Sequence, residues 1–128
     1  MTVLVEQVRE AGLPVRLSMD GSPEPLDPGV ALTIYRIVQE ALTNALKHAG
    51  TATAEVRLQF GRYWMTVEVS DTGRGPRFGG HGVGHGLLGM RERVSLYGGT
   101  LRTGPRPGGG FRVYAKIPVE ATDGDAGE

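Results

Sequence analysis

Three short segments of this 128-residue chain hold side chains that could do chemistry together. In Glu40-Ala41-Leu42-Thr43-Asn44-Ala45-Leu46-Lys47-His48, the residues Glu40, Asn44 and Lys47 recur at three- and four-residue intervals. On a helix that spacing stacks a carboxylate, an amide and an amine on one face, with Arg36 one step earlier. Asp71-Thr72-Gly73-Arg74-Gly75 sets a carboxylate at the end of an apolar run and follows it with glycines. Gly84-His85-Gly86-Leu87-Leu88-Gly89 is a glycine loop that opens into a helical pattern. Each segment alone is a weak signal; their order and spacing strengthen one another.

Each segment has a plain reading beside a chemical one. The stripe Arg36, Glu40, Asn44, Lys47 suits the solvated face of an amphipathic helix. Asn is a poor residue for a helix interior, however, and Asn44 sits well inside this one. Its side-chain oxygen is a hard neutral ligand that suits Mg²⁺, which keeps waters and borrows phosphate oxygens. Glu40 could order a metal-bound water or act as a base, and Lys47 could neutralise phosphate charge. His48 lies further round, toward the apolar face, where a packed or hydrogen-bonded histidine is the simpler account. Asp71 can form a turn with Thr72 and Gly73. It can also accept from an exocyclic amine such as adenine N6, with Gly73 and Gly75 letting a flat base approach the backbone. The third segment matches G-x-G-x-x-G, but a polar glycine loop precedes it where a dinucleotide fold needs a strand, so that reading is rejected. Backbone N–H groups at a helix N-terminus facing phosphates is the reading kept. Arg74, Arg77, His81 and His85 lie in or beside this loop and could add charge. His81 and His85 lack the companions of a zinc site.

The elements that must position these residues follow from periodicity and punctuation. Val3 to Val8 form a helical stripe ending at Gly12, and Val15, Leu17 and Met19 alternate as a strand. Asp27-Pro28 caps and starts the main helix, with Ile34, Ile37, Val38, Ala41, Leu42 and Ala45 on its apolar side and Gly50 as its stop. Val56 to Phe60 and Tyr63 to Val69 are two strands joined by a two-residue hairpin, Gly61-Arg62. Thr72 to Gly84 reads as a loop, and Gly86 to Tyr97 as a helix stopped by Gly98-Gly99. A short strand begins at Leu101, Pro105 to Gly110 turns, and Phe111 to Ile117 alternate as the last strand. The order α-β-α-β-β-loop-α-β-β predicts a two-layer α/β sandwich of the α+β class.

Bulk properties narrow the function. The 14 basic and 14 acidic residues give a formal net charge of zero, without the basic excess of a nucleic-acid footprint. No cysteine is present, which removes disulfides and thiolate metal sites. No membrane-length apolar run or signal peptide is visible, and the expectation is a cytoplasmic domain. The 21 glycines cluster at 73–89 and 98–110, as suits loops built for close backbone approach.

Taken together, the segments resemble the N, G1 and G2 boxes of the Bergerat-type ATP-binding fold, shared by sensor histidine kinases, gyrase, heat-shock chaperones and mismatch-repair ATPases. Tyr35 to His48 and Gly86 to Arg93 are similar in wording to kinases paired with LuxR-like response regulators, and the likeness covers roughly Gly12 to Val119. The resemblance implies a mixed sheet of about five strands, covered on one face by about three helices. It implies one ATP-binding catalytic domain over residues 1–120, with 121–128 a flexible tail. Glu40 near the γ-phosphate and Lys47 on phosphate would be catalytic. Asn44 would ligate Mg²⁺. Asp71 would hold the adenine amine, with Gly73 and Gly75 around the base. Gly84, Gly86 and Gly89 would form the hinge and phosphate side of a lid, and His48, His85 and Leu87 enter the nucleotide set with their motifs.

The resemblance departs at Gly110-Phe111, where the family has Gly-Thr at the adenine side. It also implies that the phosphate-accepting histidine lies on an adjacent dimerisation domain outside this chain, so that the chain alone would not autophosphorylate. ATP and Mg²⁺ are the implied cofactors, and that adjacent domain and, indirectly, a response regulator the implied partners, with no nucleic-acid or membrane contact by the domain. An ATP hydrolase, an anti-sigma-factor-type serine kinase and a non-catalytic nucleotide-binding module are the alternatives.

Overall fold

The computed structural model describes residues 1–21, 26–48, 53–73, 81–107 and 109–119, with the side chains of 48 and 81–87 outside the description. The elements are α1 (Thr2–Glu10), β1 (Val15–Asp20), α2 (Pro28–His48), β2 (Ala54–Phe60), β3 (Trp64–Asp71), α3 (His81–Leu96), β4 (Thr100–Pro105) and β5 (Phe111–Pro118). The strands form one sheet in the order β1-β2-β3-β5-β4. β1 and β2 are parallel, and the other pairs are antiparallel. Five strands, three helices and a mixed sheet agree with the expected sandwich.

Alternation puts Val56, Leu58, Met65, Val67, Val69, Val113, Ala115 and Ile117 on one buried face. The register places Val56 opposite Val69 and Val69 opposite Val113, so equivalent residues form rows across the sheet. The cover is mainly α2, through Val30, Ile34, Ile37, Val38, Ala41, Leu42 and Ala45, with α1 adding Leu4, Val5 and Val8 and α3 adding Val94.

Both ends of the helical layer are fixed by local chemistry. Asp27 Oδ1 accepts the N–H groups of Gly29 (2.7 Å) and Val30 (3.3 Å), so the expected cap is present. At the end of α3, Gly98 adopts φ +81 and the Gly99 N–H donates to the Val94 carbonyl (3.0 Å), the left-handed stop expected of Gly98-Gly99. A Cβ on Gly29 would strike the Tyr97 hydroxyl, so the end of α3 sits directly on the start of α2.

Three expectations need correction. The hairpin loop is Arg62-Tyr63, one residue later than expected. The Phe60–Met65 register makes Gly61 face Trp64, and the Gly61 N–H donates to the Trp64 carbonyl (2.8 Å). Tyr63 therefore lies outside β3. Second, α3 starts at His81, earlier than the Gly86 start expected, so Gly84 lies within the helix with Gly86 and Gly89 and not in the preceding loop. Of the described glycines, only 12, 21, 98, 109 and 110 have positive φ, and those of α3 take ordinary helical backbone. Third, the polar stripe of α2 does not stay opposite the apolar face. Each step of four residues advances about 40° round a helix of 3.6 residues per turn. Arg36 is exposed, Glu40 half-buried and Asn44 buried. The predicted stops and loop residues at Gly50, Arg74, Gly75 and Arg77, and the tail 121–128, lie outside the described residues.

Gly110 precedes β5 with φ +99, and a Cβ there would fall on the Asp71 carbonyl. Gly104 is free of both constraints. Gly110→Ala should cost about 2 kcal/mol or more of unfolding free energy in a urea titration, and Gly104→Ala should change it by less than about 0.5 kcal/mol.

Candidate functional site

The inward face of β3 is apolar at Met65, Val67 and Val69, and then, one step further, becomes Asp71. Asp71 pairs with Ala54 on β2. On the other side the β3–β5 register runs to Ser70–Arg112, so its continuation sets Phe111 beside Asp71. Facing them from α2 are Ala41 and Asn44. Ala41, Asn44, Val69, Asp71, Phe111 and Val113 line one small cavity. The amide and the carboxylate expected to converge therefore do so, between sheet and helix.

Both are largely removed from solvent, Asn44 at 7% and Asp71 at 5% exposure. Asp71 Oδ1 accepts the Gly73 N–H (2.9 Å), which closes a tight turn after the strand. Asn44 Nδ2 is buried and has no hydrogen-bond partner among the described residues. A buried donor left in this state costs about 1–3 kcal/mol, and native proteins keep few of them. An unsatisfied amide and a carboxylate thus stand together among walls of Ala, Val and Phe, two polar groups capable of hydrogen bonding with the polar edge of a ligand.

Asn44 also fits a metal-binding role. A half-turn about its last torsion presents the amide oxygen in place of the nitrogen, a hard ligand for Mg²⁺. Among the described residues no group of three or more His, Cys, Asp or Glu could hold a metal. The ion would then complete its shell with phosphate oxygens and water, as magnesium commonly does.

Glu40 is half-buried one turn before Asn44, and Lys47 is exposed near the end of α2. Gly73 is buried just after Asp71. Gly89 is exposed in α3, with open space where a Cβ would stand. His48 closes α2, and Gly84, His85, Gly86 and Leu87 belong to the backbone of α3; their side-chain surroundings and all of Gly75 lie outside the described residues. Two residues at the site, Ala41 and Arg106, were not singled out for it from the sequence, and a third, Phe111, was marked only as a departure from the family's Gly-Thr. Ala41 and Phe111 line the cavity. Arg106 donates through Nη1 to the Asp71 carbonyl (2.9 Å). Alternation places Phe111 on the inward face of β5, a signal available in the sequence. The Arg106 contact depends on how the β4–β5 turn meets the end of β3, which no local pattern encodes.

Known proteins share this fold. The family described as histidine kinase-, DNA gyrase B- and HSP90-like ATPases matches residues 29–121. The oxygen sensor histidine kinase NreB of Staphylococcus carnosus is 37% identical over 110 residues, covering 84% of this chain and 32% of that protein. The sensor histidine kinase YxjM of Bacillus subtilis is 36% identical over 122 residues, covering 94% and 30%. The chain thus spans about a third of the length of these relatives. Full-length ShkA, solved in complex with AMPPNP, superimposes with a TM-score of 0.71 over 94% of this chain and 28% of that one, at 19% identity, which shows a shared fold. With the family matched across α2, β3 and β5, the elements that build the cavity, the chain belongs to the histidine kinase-, DNA gyrase B- and HSP90-like ATPases.

Proposed function

We propose that this chain is the ATP-binding catalytic domain of a sensor histidine kinase, folded over residues 1–120. In the whole protein it passes the γ-phosphoryl group of ATP to a histidine on an adjacent dimerisation domain. The observation that carries this reading is the shared cavity of Asn44 and Asp71, in which the Asn44 amide has no partner among the described residues. Its supports are the family match, the sensor histidine kinases among the relatives, and the nucleotide analogue held by ShkA. In this reading the domain works in the cytoplasm, where ATP is supplied, and a response regulator is the next recipient of the phosphoryl group.

In this reading Asp71 accepts the adenine amine while the apolar walls take the ring. Gly73 and Gly75 let the base lie close to the backbone. Asn44 faces the phosphate end, with Glu40 and Lys47 on the turns beside it; Lys47 neutralises phosphate charge. Gly84, His85, Gly86, Leu87 and Gly89 supply the phosphate side, and His48 closes the helix beside them. Mg²⁺, when bound to Asn44 and the phosphates, supplies charge neutralisation. The lone-pair nitrogen of the acceptor imidazole attacks the γ-phosphorus. The bond to the β–γ bridging oxygen breaks, ADP leaves with the electron pair, and the imidazole N–H proton passes to a carboxylate. The domain's contribution is positioning and electrostatics.

The direct test mixes the chain with a dimerisation domain from its own full-length protein and γ-labelled ATP. Label should appear on the acceptor histidine, acid-labile and base-stable; labelled inorganic phosphate alone would show a hydrolase instead.

Asp71→Asn replaces an acceptor oxygen with a donor that faces the amine. In a fluorescent-ATP titration it should raise the Kd by about 30-fold or more, about 2 kcal/mol, with the thermal midpoint checked in parallel. Unchanged affinity would remove Asp71 from the adenine site. Asn44→Ala should abolish the magnesium dependence of ATP binding in calorimetry, and a preserved magnesium response would exclude Asn44 as the ligand.

A further inference from the structure

The turn between β4 and β5 folds back onto the end of β3, and one side chain makes the junction. Arg106 opens the turn. Its N–H donates to the Gly110 carbonyl (2.9 Å), and its carbonyl accepts the Gly109 N–H (3.1 Å). Gly109 and Gly110 both take positive φ, +115 and +99, which fixes the path of the turn. From that base the Arg106 guanidinium reaches the backbone carbonyl of Asp71, donating through Nη1 at 2.9 Å. Gly110 packs against the same carbonyl so closely that it has no room for a side chain.

Asp71 is thereby tied twice. Arg106 holds its carbonyl, and the Gly73 N–H holds its carboxylate oxygen. The first tie matters because Asp71 is the terminal residue of β3, and the pairing with β5 ends one residue earlier, at Ser70–Arg112. A cationic donor is well suited to this task, since hydrogen bonds from charged groups are stronger than neutral ones. The guanidinium also lies outside the cavity. Arg106 lines a groove with Arg16, Thr53, Glu55, Ser70 and Thr72, whereas the cavity of Asn44 and Asp71 does not include it. Its influence on a ligand must therefore pass through Asp71.

We propose that Arg106 is a positioning residue for purine recognition: by holding the Asp71 carbonyl it aims the carboxylate at the exocyclic amine, without touching the nucleotide. This rests on the adenine reading of Asp71. The consequence is selective. A displaced carboxylate weakens binding only of ligands that present the amine, because a hydrogen bond depends steeply on distance and angle.

The test compares Arg106→Met and Arg106→Lys with the unaltered chain. Two ligands compete against a fluorescent ATP analogue: ATP, and purine riboside triphosphate, which lacks the amine. The amide resonance of Gly73 is followed in nucleotide-free protein. Arg106→Met should weaken ATP about tenfold and leave the amine-free analogue within about twofold. The Gly73 resonance should shift, and Arg106→Lys should recover most of the ATP affinity and of the resonance position. Equal loss of both ligands with a lowered thermal midpoint would mean a general structural role and overturn the proposal. Unchanged ATP affinity in Arg106→Met would overturn it too. If the unaltered chain bound neither ligand, the adenine reading would fall and the purine role with it. The Gly73 resonance would then decide only whether Arg106 holds Asp71.

Discussion

The site depends on burying two polar side chains at the edge of an apolar layer. β3 runs inward-facing through Met65, Val67 and Val69, and the same alternation obliges Asp71 to face inward as well. A carboxylate there has lost most of its water, and the Gly73 N–H returns part of that stabilisation. Asn44 receives no such return among the described residues. The penalty, about 1–3 kcal/mol for the amide, is tolerable because the layer beside it is well filled, with Ile37, Val38, Leu42, Val56, Val67, Ala115 and Ile117 fully buried. A ligand that satisfies both groups recovers what the empty fold forgoes.

Helix α2 delivers Asn44 to this place, and its placement has several independent causes. The parallel β1–β2 pair brackets it, and a β-α-β crossover of this kind puts the helix on one determined face of the sheet. Asp27 and Pro28 fix where it starts, and hence which residue arrives opposite Asp71 seventeen positions later at Asn44. The close seat of Tyr97 on Gly29 ties that starting point to α3. The gradual rotation of the stripe does the rest, carrying Arg36 in water, Glu40 at the boundary and Asn44 inside. One helix thereby spans a path from solvent to the buried cavity.

Much of this was readable from the sequence, and the reasons are specific. Asp27-Pro28 is a local signal with a local mechanism, and it held. The strands alternate cleanly because only one face of the sheet is covered, so their order and inward residues were legible. Asn44 was conspicuous as a poor helix former within a regular helix, and Asp71 as a charge ending an apolar strand. The hairpin was misplaced by one residue because Gly61 looked like a turn residue, while the pairing of Phe60 with Met65 decides the loop. Phe111 was noticed only as a departure from the family pattern, and Arg106 not at all, because their roles come from β5 lying beside β3 and from a turn meeting a strand end. Both are set by tertiary register, beyond any window of neighbouring residues.

The start of α3 is the most instructive difference, because its glycines oppose the helix they belong to. Gly82, Gly84, Gly86 and Gly89 all fall in its first nine residues. At about 1 kcal/mol each relative to Ala, they remove about 4 kcal/mol of intrinsic helix preference from that half. The second half has compensations: Val94 is fully buried, Gly98 and Gly99 close the last turn, and Tyr97 meets α2. The helix is therefore anchored at its C-terminal end and intrinsically weak at the end that expectation assigned to phosphate binding. A glycine-rich segment of this kind can exchange intrahelical hydrogen bonds for bonds from the same N–H groups to an anion at little net cost. The loop expected up to Gly84 and the helical backbone found there thus differ at the stretch where intrinsic helix preference is weakest.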